Sequence, residues 1–170
     1  MKVLGMCLVF AGCLGIGLYY RMQELFRYRN LQEIQKAMAV LRGEIASVKS
    51  PLPEAVFQAS KRTRGVMSSF FAEVAEELEE GQGELCRIWS DKLKDGVPGM
   101  QLCEEDRMEL ERMGEMLGYL DTEMQKRSID LYTERVKQSI QEMERNGEKR
   151  SRLYPVLGTA AGILLCILMI

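Results

Sequence analysis

The sequence contains no histidine among its 170 residues. That removes the commonest general base and the commonest metal ligand together. Its five cysteines, Cys7, Cys13, Cys86, Cys103 and Cys166, include no CxxC pair. An odd, scattered set argues against a disulfide framework, fits a reducing compartment and lacks the ligand spacing of a zinc site. Neither sign of charge dominates: a net charge of −2 and a pI near 5.4 give no electrostatic case for nucleic acid. A Walker-type phosphate loop, a dinucleotide fingerprint and a GxSxG elbow are all missing, and so is any strand-like alternation or hairpin turn. The carboxylates fall mostly on polar faces of helices. No catalytic residue, cofactor, metal ion or small-molecule substrate is therefore expected.

What the chain does have is two apolar ends. Val3 to Tyr20 is uncharged, and roughly 18 residues of helix span about 27 Å, close to the thickness of a bilayer core. Tyr19 and Tyr20 close that run before Arg21. An uncleaved membrane span is the favoured reading. A cleaved signal peptide competes with it, and so does lipidation at Cys13, where Phe10-Ala-Gly-Cys13 resembles a lipobox with a poor first residue. Against both, the residues after Cys13 stay apolar through Tyr20.

Leu153 to Ile170 is the second uncharged run, with Gly158 and Gly162 at small-xxx-small spacing. Arg21, Arg27 and Arg29 follow the first run, while Arg145, Lys149, Arg150 and Arg152 precede the second. The positive-inside rule then puts residues 21–152 in the cytoplasm and both termini outside. The expected domains are a transmembrane helix over 1–20, a cytoplasmic helical bundle over 21–152 and a transmembrane helix over 153–170.

Between the ends, helical periodicity is continuous. Leu31, Ile34, Met38, Leu41, Ile45 and Val48 recur three and four apart, which predicts one long helix over Met22 to Lys49. Ser50-Pro-Leu-Pro-Glu54 breaks it, and a proline early in a helix is well placed to start the next. A short helix then ends near Arg62 to Gly65. A third covers about Val66 to Glu80, with the acidic tail Glu76-Glu-Leu-Glu-Glu80 read as a solvated end. Glu84 to Asp95 carries Leu85, Ile88, Trp89 and Leu93 as a buried stripe, and Trp89, the only tryptophan, is a core anchor. Gly96-Val-Pro-Gly99 is a connector. A fifth helix starts near Cys103 and a sixth near Asp121, a plausible N-cap, with Asn146-Gly147 expected to interrupt or bend the last. The fold class is all-α: a bundle of about six helices flanked by the two spans.

Within the fifth helix, Leu110, Met113, Leu117 and Leu120 form the core stripe, while Gly114 and Gly118 stand four apart on an adjacent face. Each glycine costs roughly 1 kcal/mol in a helix relative to alanine, so close approach of another helix is expected to offset it. The sixth or the first helix is the expected neighbour, with Glu115 at the edge of the contact beside a backbone or basic partner.

The order of these features resembles the stage III sporulation protein AB family of endospore-forming bacteria, over nearly the whole chain. The residues that carry the likeness are Ser50-Pro51-Leu52-Pro53-Glu54-Ala55, the Glu-rich helix end with Gly81 and Gly83, and Leu117-Gly118-x-x-Asp121-x-x-x-Gln125. The soluble part is in turn similar to the F-type platform proteins of type II secretion and type IV pilus systems, whose Gly-Glu-x-x-Gly element is matched by Gly114-Glu115-x-x-Gly118. Phe57 stands where those proteins usually have leucine, and Tyr119-Leu120 replaces a more polar pair.

The resemblance implies a non-enzymatic membrane platform in the mother-cell-to-forespore channel complex. Its expected partners are a secretion-type ATPase, other channel membrane proteins and the lipid bilayer. It also marks Pro51, Leu52, Pro53, Glu54, Gly114, Glu115, Gly118, Asp121 and Gln125 as helix-packing or partner-contact candidates. A membrane-anchored helical signalling adaptor is the alternative, suited by the long apolar stripe of the first helix.

Overall fold

The computed structural model describes the backbone of residues 2–168 other than 82, 96–98 and 120, and the side chains of residues 12, 15–81, 83–95, 99–119 and 121–145. Every regular element is helical: α1 Lys2–Gly43, a π-turn Glu44–Val48, α2 Leu52–Arg62, α3 Val66–Glu79, α4 Leu85–Asp95, α5 Glu104–Tyr119 and α6 Thr122–Leu168. Strands are absent among the described residues. The chain divides into a unit of Arg27–Ile140 and a second unit made of Met1–Phe26 with Gln141–Ile170, so α1 and α6 each contribute to both. Among the described residues no helix is long and apolar enough to cross a membrane. The expected spans over 1–20 and 153–170 lie outside the described side chains, apart from those at 12 and 15–20.

Local chemistry sets the helix ends in the Arg27–Ile140 unit. Pro51 caps α2 in an extended conformation (φ −56°, ψ 149°) and Pro53 sits in its first turn, where a missing N–H costs no intrahelical bond. The helix therefore starts at Leu52, directly after Pro51. Thr63 closes it, its buried hydroxyl donating to the carbonyls of Ala59 and Ser60 at 3.0 and 3.1 Å. Gly81 follows α3 at φ +69° and donates its N–H to Leu78 O at 3.2 Å, a left-handed C-terminal stop that suits glycine.

Two features depart from the sequence reading. The α-helix of α1 ends at Gly43, and the last turn before Lys49 is a π-turn. Its wider winding carries Val48 off the apolar stripe: Ile45 is 5% exposed and Val48 65%. In α6 the helix continues through Asn146-Gly147, where an interruption or a bend was expected, so it is not interrupted there. Glycine in a helix interior costs about 1 kcal/mol, too little by itself to end a helix of this length.

The core lies where α2 packs on α3, α3 on α4 and α4 on α5. Phe70, Phe71 and Trp89 form a cluster of edge-to-face rings, with centroids 5.1 to 5.7 Å apart. Such pairs add roughly 0.5–1.5 kcal/mol each beyond their burial. The α1 stripe, Leu31, Ile34, Met38 and Leu41, is fully buried, as are Leu110, Leu117 and Ile129 from α5 and α6.

Candidate functional site

Helix α5 and its turn into α6 carry five of the nine named candidates. One side of α5 faces α4. Gly114 is buried, and a β-carbon built on it would lie 2.3 Å from Cδ1 and Cγ of Trp89 and 2.7 Å from Cδ2. No side chain fits there. Trp89 Nε1 donates to the carbonyl of Leu110 at 2.9 Å, one helical turn before Gly114, so the indole is both seated and hydrogen-bonded on α5. Gly118 is exposed and looser: its virtual β-carbon is 3.4 Å from the backbone nitrogen of Cys86. The close neighbour of the two glycines is thus α4, rather than the first or sixth helix. The signal was present in the sequence, since the lone tryptophan and the two glycines are the unusual residues of their helices, but periodicity alone does not pair distant elements.

Polar contacts hold α4 on both sides. Ser90 Oγ donates to Glu111 Oε1, and the Arg107 guanidinium donates to the carbonyl of Leu93. Lys94 stands 3.5 Å from Glu111, and Lys92 bridges to Glu77 at 2.6 Å and Glu73 at 3.4 Å on α3. The Ser90 hydroxyl, and after it the nearby cations, hold the Glu111 carboxyl below its ordinary value. At the end of α5, Tyr119 hydroxyl lies 3.3 Å from Cys86 Sγ and donates to Glu84 at 3.2 Å. Those two neighbours push its pKa up to about 12.

The other side of α5 meets α1 and α6. Arg27 grips Asp106 with two bonds, Nε to Oδ2 at 2.6 Å and Nη2 to Oδ1 at 3.0 Å. Asp106 also accepts the N–H of Cys103 at 3.3 Å, the reach back from the third helical position to the residue preceding the helix. The bond to Asp106 raises the Arg27 pKa. Asn30 ties the preceding connector to α1 by donating to Gln101 O at 3.2 Å. Arg42 of α1 forks onto Asp130 of α6 at 2.5 and 3.1 Å, and Arg135 of α6 pairs with Glu109 of α5. Tyr132 is 5% exposed, and burial followed by the charges of Asp106 and Glu109 drives its pKa upward.

The turn between α5 and α6 uses two more candidates. Asp121 Oδ1 accepts the N–H of Met124 at 2.9 Å, an N-cap bond, and Gln125 Nε2 donates to Leu117 O at 2.7 Å, satisfying a carbonyl near the end of α5. Pro51, Leu52, Pro53 and Glu54 lie together at the start of α2, where Glu54 accepts from Gln58 at 2.6 Å. Glu115 is exposed and makes no hydrogen bond or ion pair among the described residues, so the expected backbone or basic partner is not there. The nine candidates form two groups, one at the start of α2 and one along α5 and its turn into α6. The ion pairs Arg27–Asp106 and Arg42–Asp130 were missed, because partners 79 and 88 residues apart leave no local pattern.

The described residues hold no group of three or more potential metal ligands, and their buried side-chain polar atoms all have hydrogen-bond partners. What the arrangement provides is a face on which α4, α5 and the start of α6 are tied together by hydrogen bonds and ion pairs.

Residues 2–170 match the family model described as stage III sporulation protein AB. A curated relative from Bacillus subtilis (strain 168), Stage III sporulation protein AB, is 25% identical over 171 residues and covers 99% of each chain. A solved structure described as stage III sporulation protein AB (SpoIIIAB) is similar in fold, with a TM-score of 0.66 at 24% identity, over 73% of this chain and 98% of that one. With the family model matched along nearly its whole length, the chain belongs to the stage III sporulation protein AB family.

Proposed function

We propose that the chain is a non-enzymatic membrane platform of the mother-cell-to-forespore secretion-like channel needed for endospore formation. It docks a cytoplasmic secretion-type ATPase to membrane ring subunits, with its bundle on the mother-cell side and both termini across the membrane. The observation that carries this reading is the continuity of α1 and α6, which run unbroken from the Arg27–Ile140 bundle into the two apolar ends. A bundle joined to two apolar segments by continuous helices suits a docking role, and the family membership supplies the sporulation setting.

The adaptor alternative gains no support from the α1 stripe. Leu31, Ile34, Met38 and Leu41 are each at most 1% exposed within a single chain, leaving no seam for a parallel coiled coil.

Deleting the gene in its sporulating host tests the proposal. Forespore development is expected to stall at engulfment, and the full-length chain is expected to co-purify with the hexameric ATPase. Normal spores from the deletion strain would end the platform reading.

A further inference from the structure

Where α5 and α6 run side by side, their facing ridges leave a groove of about 140 Å³ whose lining is mostly apolar, Met113, Met116, Leu131 and Tyr132, with the polar side chains of Ser128 and Glu109 beside them and Arg112 and Arg135 at its rim. An apolar cavity of about 150 Å³ holds a benzene-sized molecule, so this groove has room for one large apolar side chain. Leu131 is 66% exposed and Met116 38%, although both border a concave surface that a partner can fill. Single exposed apolar residues are ordinary, but apolar residues gathered around a depression mark contact sites. Methionines at such a place adapt their shape to what they meet.

The rim adds a charge preference. Glu109 is shared by Arg112, at 3.6 Å, and by Arg135. Two guanidiniums therefore face one carboxylate, and both are more than half exposed. Glu111 and Glu115, the next acids along α5, are not part of the lining. The groove thus presents a mostly apolar floor with two guanidiniums to one carboxylate at its rim, an excess of positive charge.

We propose that this groove docks an acidic amphipathic helix of a partner protein. One leucine-sized or aromatic side chain seats between Met116 and Leu131, and a carboxylate beside it pairs with Arg112 and Arg135. Pre-formed helix-in-groove contacts of this kind take their affinity from the apolar anchor and their register from the flanking charges. The proposal rests on the platform reading only for which protein carries the helix.

The test uses the full-length chain in lipid nanodiscs and the purified secretion-type ATPase of the same host. Binding is measured for the wild type, Leu131→Lys and Arg135→Gln. In parallel, a photo-crosslinking amino acid replaces Leu131, or exposed Arg62 on α2 as a control, in sporulating cells. Leu131→Lys is expected to weaken binding about tenfold with an unchanged melting temperature, because the residue is an exposed anchor. Arg135→Gln is expected to weaken binding less and to flatten its salt dependence. Crosslinks from position 131, and not from 62, are expected on a helix bearing acidic residues. Unchanged affinity in both variants without a crosslink from 131 overturns the groove and leaves the platform reading standing. A crosslink from 131 to an acidic helix of another protein, with no ATPase binding, upholds the groove and overturns ATPase docking. A crosslink from 131 to a second copy of this chain, or to a segment without acids, overturns the groove proposal.

Discussion

Gly114 lies against the indole of Trp89 so closely that a β-carbon would stand 2.3 Å from two of its ring atoms. The contact is to ring carbons of a side chain that is itself pinned by a hydrogen bond to Leu110 and by Phe70 and Phe71. The ring has no free direction in which to retreat. Glycine at this position is a steric requirement, and the helix propensity it forfeits is offset by the packing it permits.

Gly114→Ala is expected to destabilise the chain by about 1–3 kcal/mol, the usual cost of overpacking a fixed core. Gly118→Ala is expected to be neutral or to stabilise by a few tenths up to about 1 kcal/mol, because its β-carbon meets Cys86 N at an ordinary 3.4 Å and the helix gains propensity. Urea unfolding of the full-length chain in mild detergent measures both, with Trp89 fluorescence as the signal. Equal effects at the two positions would refute the difference in packing.

Helix boundaries were legible wherever a residue forces them. Pro51 and Pro53 mark the start of α2, Gly81 the end of α3, and Asp121 the start of α6, each through a backbone preference that needs no partner. The core stripe was equally legible, since burial has the period of the helix. The π-turn was not, because Ile45 and Val48 keep the same spacing whether the last turn is wound tight or wide. Pairing of α5 with α4 was hidden for a different reason. Two glycines announce a close neighbour without naming it, and only the fold brings Trp89 to them. The Arg42–Asp130 fork gives no hint at all in one sequence, as both residues read as ordinary solvated charges.

Asp106→Ala is expected to cost about 2 kcal/mol, the loss of a charge-assisted pair together with the cap on Cys103 N. A fully buried pair costs roughly 3–5 kcal/mol to break, but the Arg27 side chain is 30% exposed and water takes up part of the loss. Arg27→Lys keeps the charge without the fork and is expected to fall between wild type and Asp106→Ala. Thermal unfolding of the three proteins at one salt concentration settles the order. An Arg27→Lys variant as stable as wild type would show that the bidentate geometry contributes nothing.

Asp121→Ala removes the acceptor for Met124 N–H and is expected to destabilise the start of α6 by about 1 kcal/mol, whereas Asp121→Asn keeps an acceptor and should lose little. Hydrogen exchange at the first turn of α6 reads the effect locally. Faster exchange confined to residues 122–125 in the alanine variant is the expected pattern, and unchanged rates would mean that Asp121 does not act as a cap.

The acid side of the stability profile should carry the mark of Ser90. Its hydroxyl, more than Lys94, holds the Glu111 carboxyl below the ordinary value of 4.5. A carboxyl with a lowered folded-state value binds protons more weakly folded than unfolded. Its stabilising contribution is therefore complete above about 4.5, the unfolded value, and fades as the pH falls through the lower folded value. Ser90→Ala is expected to be less stable than wild type at pH 7, with a gap that narrows steadily as the pH drops below 4.5. Glu111→Gln cannot titrate, and in that background Ser90→Ala should produce a gap that does not depend on pH. Unfolding free energies for the four proteins from pH 7 to pH 3 check this. A wild-type gap that stayed constant over that range would mean that the Ser90 bond stabilises Glu111 without preferring its charged form.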